Sequence, residues 1–98
     1  MRRTPDAAPP QISNVRISNV KRSSVSVTWM TDEPSTTVVH YGRTTAYGKK
    51  RSYTNLVVRH GVTLTGLSAN TRYHYRVDSE DEAGNPGASA GLTFNTAR

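Results

Sequence analysis

From Arg72 to Val77 the chain alternates without a fault: Tyr73, Tyr75 and Val77 fall on one side, Arg72, His74 and Arg76 on the other. A period of two marks a β-strand with one face in a core and the other in water. The preceding Gly66-Leu67-Ser68-Ala69-Asn70-Thr71 is rich in turn residues, so the strand enters from a tight corner. A half-buried strand needs other strands to close its core. In a chain of 98 residues that means one domain with one core, too small to carry an elaborate catalytic apparatus as well.

The rest of the sequence supplies those strands. Thr4-Pro5-Asp6-Ala7-Ala8-Pro9-Pro10 has no periodicity, and residues 1–10 read as an extended Pro/Ala linker, leaving 11–98 as the domain. Ile12-Ser13-Asn14-Val15 is echoed by Ile17-Ser18-Asn19-Val20. Because the echo is five residues long, a flat strand puts Val15 and Ile17 on one face, Ile12 and Val20 on the other. A kink at Ser18-Asn19 that returns Val20 to the core is the expected remedy. Val25, Val27 and Trp29 alternate with Ser26, Thr28 and Met30; Thr31–Ser35 punctuates; Thr36–Gly42 follows with Thr37, Val39 and Tyr41 inward. Val62 and Leu64 alternate up to Gly66, Ser79–Ser89 is a loop by its turn residues, and Leu92 and Phe94 close the domain. Residues 43–60 carry no clear pattern. No segment has helical periodicity, so the expectation is an all-β, seven-stranded antiparallel sandwich of two sheets. Its core is Val15, Ile17, Val20, Val25, Val27, Trp29, Val39, Tyr41, Val62, Leu64, Leu67, Tyr73, Tyr75, Val77, Leu92 and Phe94.

Leu67 before the turn and Tyr73 just after it resemble a tyrosine corner, in which the ring packs inward and the hydroxyl bonds backbone a few residues upstream. Together with Val25-x-Val27-x-Trp29 and Val39-His40-Tyr41-Gly42, this resembles the fibronectin type III family over roughly residues 10–96. Ala69 stands where many members carry proline, which leaves the turn less pre-organised. With no cysteine, the inter-sheet disulfide of antibody domains is impossible. Thr31–Gly42 and Asp81–Asn85 resemble the bacterial and phosphatase-associated branch, whose modules accompany secreted glycoside hydrolases or precede purple-acid-phosphatase-like catalytic domains. The resemblance implies extracellular or cell-surface deployment, without catalytic residues in the module itself. There is no Arg-Gly-Asp tripeptide and no Asn-x-Ser/Thr sequon.

Residue by residue, chemistry is hard to find. The sequence has no glycine-rich phosphate loop, Gly-x-Ser-x-Gly elbow or His-Glu-x-x-His motif. Asp32 and Glu33 are neighbours before Pro34 and read as a solvated turn. His40 and His74 are outward on strands expected to adjoin, yet two imidazoles without further ligands make a poor metal site; His60 has less to recommend it. Asp78, Glu80, Asp81 and Glu82 point alternately and do not converge as calcium requires. No metal or other cofactor is expected, and no enzymatic activity.

The formal charge of +6 directs attention to polyanions, although Arg2, Arg3 and Arg98 lie at the ends. The densest cluster is Lys49-Lys50-Arg51, with Arg43 and Arg59 in flanking segments and Tyr47 and Tyr53 as stacking candidates. These seven residues are the candidate ligand site, for polysaccharide or another polyanion, against the plainer reading that lysines guard a strand edge. No aromatic row interleaves the cations as single-strand nucleic-acid binding requires. Outward strand residues other than Val38 and Met30 are polar, which argues against a large docking face and for a monomer. No apolar run reaches membrane-span length and no signal peptide is present, so the chain reads as part of a larger protein. Three roles follow: a non-catalytic spacer or interaction platform, a ligand-binding module, or the accessory domain of a hydrolase. Neighbouring domains of the parent protein are the expected partners.

Overall fold

The computed structural model describes residues 9–98, so the expected linker up to residue 8 lies outside the described residues. Pro10 is buried, with its carbonyl against Gly87. Six strands follow, and no described residue is helical: β1 (Ile12–Ser18), β2 (Val25–Gly42), β3 (Lys49–Leu64), β4 (Arg72–Glu80), β5 (Pro86–Ala88) and β6 (Leu92–Asn95). Every pairing is antiparallel.

The two layers of the sandwich share their longest strands. Val25–Met30 of β2 lies between β1 and the Arg59–Leu64 end of β3; Ser35–Gly42 lies between the Lys49–Val57 end of β3 and β4. β5 and β6 both pair with β4. Thr31–Ser35 is therefore no loop between two strands but the bend at which one strand changes layer. Five residues of β2 there match two of β3, and Pro34 withholds a backbone donor from the ladder. With β2 and β3 each serving both layers, the two-sheet antiparallel sandwich expected from the sequence is recovered, and β3 fills most of the segment that showed no pattern.

Alternation decides what is buried. Val25, Val27, Trp29, Val39, Tyr41, Val62, Leu64, Leu67, Tyr73, Tyr75, Val77 and Phe94 form the core; Ile12, Val15, Ile17 and Leu92 are partly buried against it. Val20 is a correction, standing 44% exposed. The kink lies earlier than Ser18-Asn19: β1 carries one extra residue between Ser13 and Arg16, with Asn14 at φ 54°. That bulge brings Ile12 onto the face of Val15 and Ile17, so the strand is satisfied before Val20 is reached.

At the centre, the Trp29 indole is 1% exposed and donates from Nε1 to Ser79 Oγ at 3.0 Å, tying the first layer to β4 in the second. Its ring stacks on His60, the residue opposite it on β3, at 5.0 Å between centroids. At the far end the Ser68 amide donates to the Tyr73 hydroxyl at 2.8 Å, which is the tyrosine corner. The corner without proline is held from outside: Thr96 Oγ1 donates to the Ser68 carbonyl at 2.6 Å and accepts from the Thr71 amide at 3.0 Å. Tyr73 and Tyr75 flank Phe94.

Trp29→Ala removes the largest side chain of the core and is expected to cost about 3 to 5 kcal/mol in urea unfolding. Ser79→Ala leaves the buried indole N–H without its acceptor and is expected to cost about 1 to 3 kcal/mol. Wild-type midpoints for both variants would contradict this account of the core.

Candidate functional site

The basic segment opens β3, and its register on β2 settles where each side chain goes. Lys49 faces Tyr41, Lys50 faces His40, Arg51 faces Val39, Ser52 faces Val38 and Tyr53 faces Thr37. Directly opposed residues share a face of the sheet. Lys49, Arg51 and Tyr53 thus lie on the inward side at the rim of the sandwich, and Lys50 lies on the outer side with His40. Arg51 Nη2 donates to Thr65 Oγ1 at 2.9 Å, and the hydroxyls of Tyr41 and Tyr53 beside its guanidinium push its already high pKa further up. Three consecutive cations are divided between two faces.

The other members of the expected cluster are elsewhere. Arg43 donates to Ser68 Oγ at the tyrosine corner. Arg59 lies opposite Met30 in the first layer, and lines a groove of about 310 Å³ with Thr37, Tyr53, Asn55, Val57 and Gly61. Tyr47 adopts φ 64°, rare for a bulky side chain, and its carbonyl rests on Gly42, where a Cβ would lie 1.4 Å from the oxygen. Its ring stands 6.2 Å from that of His40, with the Arg76 guanidinium 5.6 Å from its centroid. Tyr47 therefore covers the outer face of the second layer while Tyr53 stands at the inner rim. The two tyrosines do not make one stacking platform; Tyr53 shares a groove with Arg59 and lies beside the Arg51 guanidinium.

The remaining titratable groups are structural. His40 Nε2 is 2.7 Å from Asp78 Oδ2, and the Arg76 guanidinium donates to both Asp78 oxygens. His40 is paired in register with Arg76 and His74 with Gly42, so the two imidazoles do not face each other. Asp81, expected in a solvated acidic run, is buried; its carboxylate accepts from the backbone and side-chain amides of Asn85 and shapes the loop after β4. Asp32 Oδ1 accepts from the Gln11 amide. Among the described residues no three His, Asp or Glu side chains gather as metal ligands.

Two features escaped the sequence reading. His60 is 4% exposed, with Nε2 2.9 Å from Thr31 Oγ1 and Nδ1 2.7 Å from Thr37 Oγ1. Thr31 Oγ1 also lies 2.8 Å from the Glu33 carbonyl, so both imidazole nitrogens are held by threonine hydroxyls that are themselves part of the buried network. Leu56, Val57 and Val58 are exposed together with Tyr53, so Val38 and Met30 are not the sole exceptions to the polar exterior expected of the strands. The signal for that patch was present as a break: Leu56-Val57-Val58 does not alternate.

The architecture defines the class: this is a fibronectin type III sandwich. The family model for the N-terminal domain of purple acid phosphatase matches residues 10–96, and the chain belongs to that family. A chitinase, Chi52 of Paenibacillus xylanexedens, is 34% identical over 98 residues, covering 96% of this chain and 18% of the chitinase. A myokine structure superposes with TM-score 0.80 at 23% identity, over 93% of this chain and 100% of that one. The fibronectin type III domain of human fibronectin type III domain containing protein 3 superposes with TM-score 0.69 at 16% identity, over 96% and 91%. The chain thus spans less than a fifth of the chitinase it resembles, and the two solved structures speak to fold alone.

Burial pushes the His60 imidazole below its ordinary value, so it is neutral in the folded domain. Below about pH 6.5 the unfolded chain takes up a proton that the folded chain refuses, and stability falls with pH by at most about 1.4 kcal/mol per unit for this one group. Urea unfolding between pH 7.5 and 5 is expected to show that loss in wild type and a shallower slope in His60→Gln. Equal slopes would contradict a neutral, buried His60.

Proposed function

We propose that this domain is a non-catalytic accessory module, a spacer or protein-interaction platform within a larger secreted or cell-surface protein, with the hydrolase that carries it as the most specific case. The observation that carries this reading is the match of a complete sandwich to a small part of a much longer chitinase. The satisfied interior supports it: among the described residues no buried side-chain nitrogen or oxygen lacks a hydrogen-bond partner. Such a unit folds without help from a neighbour and leaves its surface for other duties.

The test joins the domain to a chitinase catalytic domain and compares the fusion with the catalytic domain alone. A non-catalytic module leaves turnover of soluble chitooligosaccharides by the fused catalytic domain unaffected, while the isolated 98-residue chain turns over neither chitin nor a phosphomonoester. Hydrolysis by the isolated chain would overturn the reading.

A polysaccharide-binding role is supported by one observation, the groove that holds Tyr53, Asn55 and Arg59 together: an aromatic face, an amide and a guanidinium in reach of one sugar. In an NMR titration with chitooligosaccharides, that role predicts shifts at these three residues that persist at physiological salt. Shifts confined to Lys49, Lys50 and Arg51 with heparin, and abolished by salt, would reduce it to charge attraction.

A further inference from the structure

β3 (16 residues) pairs with β2 and with no other described strand, so among the described residues no strand covers its second edge. Between Ser52 and Arg59 the alternation of burial ceases, and every residue of that stretch is exposed. The cause lies in the ladder. From Tyr53 to Val57 the strand advances four residues while its β2 partners advance two, from Thr37 back to Ser35, so β3 bulges away from the sheet where it changes layer. The bulge carries Tyr53, Leu56, Val57 and Val58 into solvent at 36 to 47% exposure. Ser52–Val58 holds neither charge nor proline, two of the usual protections of an open edge.

We propose that this edge pairs antiparallel with the same edge of a second copy of the chain, with Val57 at the two-fold axis. A symmetric antiparallel pair must place some residue opposite its own copy, and the charges limit the choice. Centred on Asn55, Arg51 meets Arg59 of the second copy; centred on Thr54, Lys49 meets it. Like charges directly opposed are destabilising. Centred on Val57, Leu56 meets Val58, all three apolar residues meet apolar residues, and Asn55 meets Arg59. Arg51, Lys50 and Lys49 then meet Thr63, Leu64 and Thr65, so no cation faces another. Tyr53 falls opposite Gly61, where a Cβ would have only Thr28 Cγ2 at 3.9 Å, leaving room for the ring over the glycine backbone. A centre at Leu56 avoids the charges too, but it sets Val57 against Asn55 and Val58 against Thr54. An extended peptide or a neighbouring domain would need to bring its own complement to this edge; a second copy has it built in. The inference departs from the monomer expected of a polar exterior, because the exterior at β3 is not polar.

The test is sedimentation equilibrium of the whole chain from about 10 μM to about 1 mM, the range where a small, transient interface becomes populated. Dimer is expected to accumulate toward the upper end. Val57→Lys, which sets two ammonium groups face to face at the axis, is expected to return the chain to monomer with its circular dichroism unchanged. Register is read separately with single cysteines, since the chain has none of its own. Directly opposed Cα atoms are about 4.5 to 5.5 Å apart, within disulfide span, so Val57→Cys should oxidise to a dimer faster than Thr54→Cys, whose opposite residue is His60. A monomer at the highest concentration, or equal cross-linking rates at the two positions, would overturn the proposal.

Discussion

The indole of Trp29 holds the two layers together, and most of the molecule is arranged so that it can. Its ring lies against His60 on the neighbouring strand of its own layer, and its N–H reaches Ser79 in the other. Few side chains can serve both purposes: the ring buries a large apolar area, and the single donor fixes which way the ring faces. The bend at Thr31–Ser35 takes β2 out of the first layer just beyond the tryptophan. Polar side chains can line that bend because they satisfy one another. Thr31, Ser35, Thr37 and His60 are all buried, and hydrogen bonds join them into one cluster. A strand that leaves one sheet for another gives up regular ladder bonds, and these side chains supply the replacements.

The parts of this arrangement that repeat every two residues were legible in the sequence. Tyr73, Tyr75 and Val77, or Val25, Val27 and Trp29, state their own burial because alternation on a strand has only one reading when one face is wet. What failed was whatever depends on an interruption of that period. Ser-Asn occurs at both Ser13-Asn14 and Ser18-Asn19, and both asparagines take positive φ. Only the first inserts an extra residue into the ladder, so Val20 was assigned to the wrong face. Burial of His60 depends on Thr31 and Thr37, which are distant in sequence, and no local pattern announces such partners. The basic segment misled for the converse reason. Lys49, Lys50 and Arg51 are adjacent in the chain, and adjacency on a strand sends neighbours to opposite faces.

The chain belongs to the family of purple acid phosphatase N-terminal domains and is similar to a small part of a much longer chitinase. β3 gathers three surface features on one strand: a divided basic segment, a groove lined by Tyr53 and Arg59, and an exposed apolar stretch. The division of the basic segment follows from strand alternation, and the exposed apolar stretch from the bulge where β3 passes between the layers.

Native-state hydrogen exchange, resolved by residue, tests most directly whether the two layers are held as one unit by the Trp29 node while β3 stands off between them. The amides of Val27, Trp29, Val39 and Val77, drawn from both layers, should exchange only through global unfolding, with one shared free energy equal to that from urea. Thr54, Asn55 and Leu56, in the bulge, should exchange through local opening at a far lower free energy. If the two layers instead exchanged with different free energies, or the bulge were as protected as Trp29, the layers would not be joined in the way described.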